Sequence, residues 1–313
     1  MTTLKRVAPA VSCMLLLSFA AAAFAGCGSS NGNNATYSTG QFTKPPVRKV
    51  KVGDMSMAYR VYGSGYPLLM LAASSSTQDD WDPNVISELA SKYKVITLDY
   101  RGMGLSTSGI KAFTVSRFAA DTAGFMDALG ITKANMLGWS MGTNVGQELS
   151  LTYPGKVDRL VLYAADCGGP QYVQPSREVA QKLSDMSGGL LEQAQRLLPL
   201  LFTPTWWSDR KNVAYVMNAL GSSTEPMPAE SVTEQDRAMI EWKGTYDRLP
   251  SIKSPTLLVT GDEDVITPPQ NSRIIIGRIP DVRLVVLHGG GHGVQYQYPA
   301  AFAGVVCDFL SSR

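Results

Sequence analysis

Histidine is nearly absent from this chain, with two in 313 residues, His288 and His292. No C-x-x-C pair accompanies them, so no zinc-site pattern is present. Any chemistry that needs an imidazole must use one of two residues close to the C-terminus. Cysteine is scarce as well, at four. Cys13 and Cys27 belong to the opening stretch, which leaves Cys167 and Cys307 for the folded part. Two cysteines do not make a disulfide framework. Cys167 follows an apolar run and Cys307 falls in a helical stretch, and we read both as buried thiols. Charged residues make up only 17%, with 28 basic against 26 acidic. No basic patch points to nucleic acid or to sustained attraction for lipid headgroups. There is no internal repeat. Hydrophobic residues reach 44%, enough for one large α/β domain with an insertion or for two modest domains, and extensive disorder is excluded except near the start.

The one long apolar run opens the chain. Lys5 and Arg6 precede residues 7–24, almost unbroken in hydrophobicity, and Phe24-Ala25-Gly26-Cys27 ends the run. Small residues just before a cysteine resemble the lipobox of bacterial lipoproteins, with Phe24 where leucine is usual. The resemblance implies that residues 1–26 are a signal peptide and that Cys27 carries the lipid. Several acyl chains on one residue would give stable membrane attachment. A simple cleaved secretion signal and an uncleaved membrane helix are the alternatives, the run being near the lower length limit for spanning. Residues 28–43, rich in Gly, Ser and Asn, have the composition of a flexible tether, and residues 27–45 are assigned to it. Removing residues 1–26 removes two positive charges and takes the formal balance from +2 to zero.

From there the chain alternates. Residues 47–52 and 55–62 flank Gly53-Asp54 and predict a β-hairpin. Residues 68–71 are a short continuous apolar run, the mark of a strand buried on both faces, and Lys94-Val95-Ile96-Thr97-Leu98 is the next strand. Helical periodicity covers 84–91, and 115–129 puts Phe118, Thr122, Phe125 and Leu129 on one face. Further strands are predicted at 134–137, 160–163, 256–260 and 284–287, with helices at 143–153, 272–278 and 300–310. Strands alternating with helices predict an α/β fold with a mostly parallel sheet covered on both faces. The alternation stops between Gly168 and Pro250, where the chain is helical in flavour and broken by prolines. This predicts a core in two parts, 46–167 and 251–313, and a helical cap at 168–250 over the strand C-terminal ends, where ligands of such sheets bind.

The stretch Met136-Leu137-Gly138-Trp139-Ser140-Met141-Gly142 closes an apolar run and opens a helix. A serine lifted clear of a sheet on a sharp strand-to-helix turn needs small residues two positions to either side, and Gly138 and Gly142 supply them. The helix N-terminus would direct partial positive charge at the hydroxyl. A glycine-bracketed loop serine is the bland alternative. Asp99 to Ser106 reads Asp-x-Arg-Gly-x-Gly-x-Ser; it lacks the full G-x-G-x-x-G of a phosphate loop and is read as a structural turn. Gly261-Asp262-Glu263-Asp264 and Gly291-His292 follow later in the chain.

In this order the motifs resemble the α/β-hydrolase superfamily, in its serine-nucleophile carboxylesterase and lactonase-like branch. The resemblance runs from about residue 47 to the C-terminus and is weakest in the insertion. It implies Ser140 as nucleophile, His292 as base and Asp264 as the acid that fixes the imidazole. His288 is the rival base, Asp262 and Glu263 are neighbouring decoys, and Asp166 stands where some members carry the acid one strand earlier. Met141 N–H and the N–H of Ser74 (or Ala73) would form the oxyanion hole. Where the family commonly has His-Gly, this chain has Ala72-Ala73, which puts the loop conformation in question. Trp206, Trp207, Trp242, Met186, Met217, Met227 and Met239 are candidates for an apolar acyl pocket, or for the cap's own packing. No cofactor or metal is implied, and the expected partner is a small ester-type molecule, not nucleic acid. A non-catalytic ligand-binding protein on the same fold is the rival from another class.

Overall fold

The computed structural model describes residues 42–312, apart from Met186, Ser222 and Thr224. Cys27 and the segments expected to be signal and tether, up to residue 41, lie outside the described residues, as does Met186 of the expected cap. Eight strands form one sheet: β1 (Arg48–Val52), β2 (Met55–Tyr62), β3 (Pro67–Leu71), β4 (Lys94–Leu98), β5 (Ala134–Trp139), β6 (Val157–Tyr163), β7 (Thr256–Gly261) and β8 (Val282–Leu287). Their order is β1-β2-β4-β3-β5-β6-β7-β8. The hairpin β1–β2 is antiparallel, β2 pairs antiparallel with β4, and all remaining pairs are parallel. This is the mostly parallel sheet that the continuous apolar runs predict.

Helices α1 (Pro83–Ala90), α2 (Val115–Ala128) and α3 (Met141–Thr152) connect the strands of the first half. Between β6 and β7 the chain forms α4 (Arg177–Ser184), α5 (Leu190–Leu201), α6 (Pro204–Trp207), α7 (Arg210–Gly221) and α8 (Ala229–Glu241). The second half adds α9 (Gln270–Ile276), α10 (Val294–Gln297) and α11 (Pro299–Ser311). Side chains alternate along each strand, so Leu68 and Met70 join one apolar cluster with α1 and α11, while Leu69 and Leu71 join the other with α2 and α3. Both faces of the sheet are therefore covered. Cys167 and Cys307 are free, buried thiols. Among the described residues no helix is long and apolar enough to cross a membrane.

The Asp-x-Arg-Gly-x-Gly-x-Ser stretch is a tie between strands. Leu105 N–H donates to Asp99 Oδ2 at 3.1 Å, and Ser106 Oγ donates to the Asp99 carbonyl at 2.9 Å. Ala58 N–H of β2 donates to Ser106 Oγ at 2.8 Å. Gly104 has φ +53°, and a Cβ there would stand 2.3 Å from Asp99 Oδ2, so no other residue fits the turn. Arg101 is wholly buried. Its guanidinium forks onto Asp121 at 2.7 and 3.0 Å, reaches Asp54 at 3.3 Å, and donates to the carbonyls of Ser108 and Lys111.

Removing one member of such a buried network strands its partners' charge. Arg101→Met should therefore lower unfolding free energy by about 3 kcal/mol or more. The urea midpoint would register this without a change in slope, and a midpoint within error of wild type would show the network to be dispensable.

Candidate active site

The site is built at the C-terminal ends of β3, β5, β7 and β8. Strand β5 ends at Trp139, and α3 starts at Met141, leaving Ser140 alone to make the turn at φ +52°, ψ −117°. A non-glycine residue rarely holds a positive φ. Here the turn is held from both sides: Ser140 N–H donates to the Tyr163 carbonyl at 3.0 Å, and Thr143 donates to the Ser140 carbonyl through N–H at 2.8 Å and Oγ1 at 2.7 Å. A Cβ on Gly138 would lie 2.4 Å from the Gly142 carbonyl oxygen, and one on Gly142 would lie 2.0 Å from that of Leu71. The two glycines bring the backbone of the serine turn against itself and against the end of β3.

His292 follows β8. Its Nδ1 stands 2.8 Å from Asp264 Oδ2, and both side chains are buried, at 4% and 0% exposure. Asp264 Oδ1 accepts the N–H groups of Ile266 at 2.9 Å and Thr267 at 2.8 Å. One carboxyl oxygen is thus fixed by backbone donors while the other faces the imidazole. The loop around His292 is tied down at several points. Tyr163 Oη donates to the His292 carbonyl, Gly291 N–H donates to Gln297 Oε1 at 2.6 Å, and Gly293 N–H donates to the Leu201 carbonyl of α5 at 2.6 Å. The Trp139 and His292 rings are 5.9 Å apart, which sets the imidazole beside the residue preceding Ser140. Ser140 itself is 7% exposed.

The rival residues are placed elsewhere or differently. His288 is exposed, with Nδ1 2.8 Å from Asp262 Oδ2. Glu263 is exposed. Asp166 is buried near His292, but its carboxyl accepts from Gly168 N–H at 2.7 Å and Asn144 Nδ2 at 3.4 Å, and its carbonyl accepts from Asn144 at 3.1 Å and Gln147 at 2.8 Å. Burial pushes the Asp166 carboxyl up to about 6, against the pull of those donors and of His292.

The loop after β3 answers the question raised by Ala72-Ala73. Neither alanine has a positive φ; that conformation falls at Ser75, at +53°. The glycine freedom common at position 73 is therefore not needed for this backbone. Residues 72–76 are all buried. Ser75 N–H donates to Gln235 Oε1 of α8 at 2.9 Å. The N–H groups of Ser74 and Met141 donate to no backbone or side-chain acceptor among the described residues. Of the cap residues, Trp206 and Trp207 stack on Phe202, each with centroids 5.0 Å apart, and Phe202 meets the Tyr296 ring at 6.4 Å. Trp242 Nε1 donates to Glu148 at 2.8 Å on α3. Met217 packs against one core cluster and Met239 against the other, while Met227 is half-buried. Tyr163, Phe202 and Gln235 were not legible as site neighbours, because each acts across more than 80 residues of chain. Among the described residues no three His, Cys, Asp or Glu side chains group to hold a metal ion.

The model of the α/β hydrolase fold family matches residues 66–299. RutD of Azorhizobium caulinodans, provisionally named a carbamate hydrolase, is 27% identical over 259 residues, covering 82% of this chain and 96% of its own. An α/β hydrolase fold protein from Chitinophaga pinensis superposes with a TM-score of 0.75 at 25% identity, covering 86% of this chain and 98% of that one. A hydrolase from Pseudomonas aeruginosa PA01 gives 0.71 at 26% identity, covering 85% and 98%. With a family match over most of its length and a sheet of the same kind, the chain belongs to the α/β-hydrolase fold family.

Proposed function

We propose that this protein is a cell-envelope serine hydrolase that cleaves carboxylic esters. The observation that carries the reading is the buried Asp264–His292 pair at 2.8 Å, its imidazole 5.9 Å from the ring of Trp139, with the next residue a serine held at positive φ on a glycine-bracketed turn. A serine hydroxyl needs a base to become a nucleophile at neutral pH. His292 would take the Ser140 proton as Ser140 attacks the ester carbonyl, and would return it to the departing alcohol. Asp264, fixed by two backbone donors, would hold the imidazole and stabilise its cation. The carbonyl oxygen would gain charge between the N–H groups of Met141 and Ser74. Water then releases the acyl group by the same steps in reverse. Lactones, peptides and peracids use the same machinery, and the RutD similarity adds carbamates to the acyl derivatives worth assaying.

A fluorophosphonate probe tests this reading on the full chain. Labelling should map to Ser140 alone. Ser140→Ala and His292→Ala should each cost about 10⁴-fold or more in ester turnover. A folded protein that takes no label and retains a ligand would instead be a binding protein on the same fold.

Asp264→Asn should reduce kcat by about 10⁴-fold, whereas Asp166→Asn should stay within tenfold of wild type. The Asp166 carboxyl also carries a stability signature. An acid whose folded pKa exceeds its unfolded value costs nothing below the unfolded value and progressively more up to the folded one. Between about pH 4 and pH 6 wild type should therefore lose up to about 3 kcal/mol that Asp166→Asn keeps. Parallel urea titrations at pH 4 and pH 7 measure the difference, and a pH-independent gap would reject it.

The envelope assignment rests on the lipobox-like end of the opening apolar run at Cys27. Cys27→Ser should move the protein from the membrane fraction to the soluble one. Retention in the membrane would favour an uncleaved helix.

A further inference from the structure

Three buried polar atoms at one place have no hydrogen-bond partner among the described residues: Ser74 Oγ, Ser75 Oγ and Gln235 Nε2. Buried side-chain polar atoms are nearly always paired, so an orphan calls for a partner that the chain itself does not supply. These three are brought together by a contact between core and cap. Ser75 N–H donates to Gln235 Oε1 at 2.9 Å, so the unpartnered end of that same amide lies against the serine loop. Ser75 is also held at φ +53°, a strained conformation for a residue with a Cβ. The loop starts where β3 meets the serine turn, because the Leu71 carbonyl fills the space beside Gly142. Strain and unsatisfied polarity thus coincide on the stretch that follows Leu71, whose carbonyl packs against the serine turn.

We propose that Ser74, Ser75 and Gln235 form a specificity subsite for a hydrogen-bond-accepting oxygen on the acyl group of the substrate. The inference rests on Ser140 as the nucleophile. Gln235 Nε2 can only donate, and both hydroxyls can donate. All three are neutral, which suits a keto or hydroxyl oxygen. With Ser74 N–H at the reacting carbonyl, the hydroxyls on the same stretch of chain would be the donors nearest to atoms one or two bonds away on the acyl side. The preferred substrates are therefore 2-oxo or 2-hydroxy esters over plain alkanoyl esters, although the cap's composition is apolar-leaning. A site that leaves polar groups unpaired when the wrong substrate binds discriminates more strongly than an apolar pocket does.

The test compares methyl 2-oxobutanoate and methyl 2-hydroxybutanoate with methyl butanoate on the full chain, by kcat/KM. Each ratio is divided by the same ratio for hydroxide, which removes intrinsic reactivity. Wild type should favour the oxygenated esters by about tenfold or more. Gln235→Glu keeps an acceptor for Ser75 N–H but replaces the donor with an oxygen, and should bring the ratio close to one. Ser75→Gly relieves the positive φ while deleting one hydroxyl, so it should fold and show a reduced ratio even if Gln235→Glu does not fold. Wild-type preference for methyl butanoate, or an unchanged ratio in the folded variants, overturns the subsite. Preference for esters oxygenated on the alcohol side overturns it as well. Fluorophosphonate labelling of the same samples separates the two levels. Label without discrimination rejects the subsite alone, whereas no label on Ser140 rejects the nucleophile and the subsite with it.

Discussion

The rest of the structure depends on how closely the backbone of the serine turn approaches its neighbours. Gly142 sits where a single added carbon would lie 2.0 Å from the Leu71 carbonyl, and Gly138 where one would lie 2.4 Å from the Gly142 carbonyl. No side chain of any size satisfies that geometry, so the turn fixes the relation of β3, β5 and α3 before any contact to substrate is considered. The positive φ of Ser140 is the local cost of this arrangement. It is sustained by bonds from β6 and from the first turn of α3.

The histidine side of the site is governed by a similar constraint on the neighbouring strands. A Cβ on Gly261 would stand 2.1 Å from the Gly290 carbonyl, and Glu263 N–H donates to that same oxygen at 2.9 Å. The loop carrying Asp264 is thereby locked to the loop carrying His292, and the 2.8 Å side-chain contact follows from that register. Tyr163 completes the frame, because its ring lies parallel to Trp139, with centroids 5.9 Å apart, while its hydroxyl holds the His292 carbonyl. The serine turn and the histidine loop are therefore positioned by one side chain from the strand between them.

Much of this was legible because the signals were local. Residues 94–98, with Val95, Ile96 and Leu98 apolar, are read as a strand, and that span is β4 to the residue. The glycines at 138 and 142 announced the turn by spacing alone. Asp264 could be preferred to Asp262 and Glu263 only through resemblance, and the structure distinguishes them by burial: Asp262 pairs with the exposed His288, and Asp264 with the enclosed His292. Helix boundaries were less legible. The segment expected to begin at Thr143 begins at Met141, because Ser140 supplies the cap position without a capping hydrogen bond that sequence would reveal. The least legible features join distant segments, such as Ser75 to Gln235 and Tyr163 to His292. No periodicity within either partner encodes them.

The loop after β3 illustrates how a departure from a family pattern is absorbed. Ala72-Ala73 stands where His-Gly is common, and a missing glycine suggests a loop that fails to form. Instead the chain keeps residues 72 and 73 in ordinary backbone conformations and moves the left-handed residue to Ser75. That residue is stabilised from outside the loop, by Gln235 of α8. The consequence is a coupling that a glycine-based loop would lack. The conformation of the loop beside the serine turn depends on α8 being seated, and α8 is seated partly through this loop. Further ties act in parallel: Gly104 N–H donates to the Pro226 carbonyl at 2.9 Å, and Gln78 Nε2 bridges Asp99 and Glu225. These bonds are made on the segment that precedes α8 and on α8 itself, so the seating of that segment and the conformation of the loop after β3 are set together.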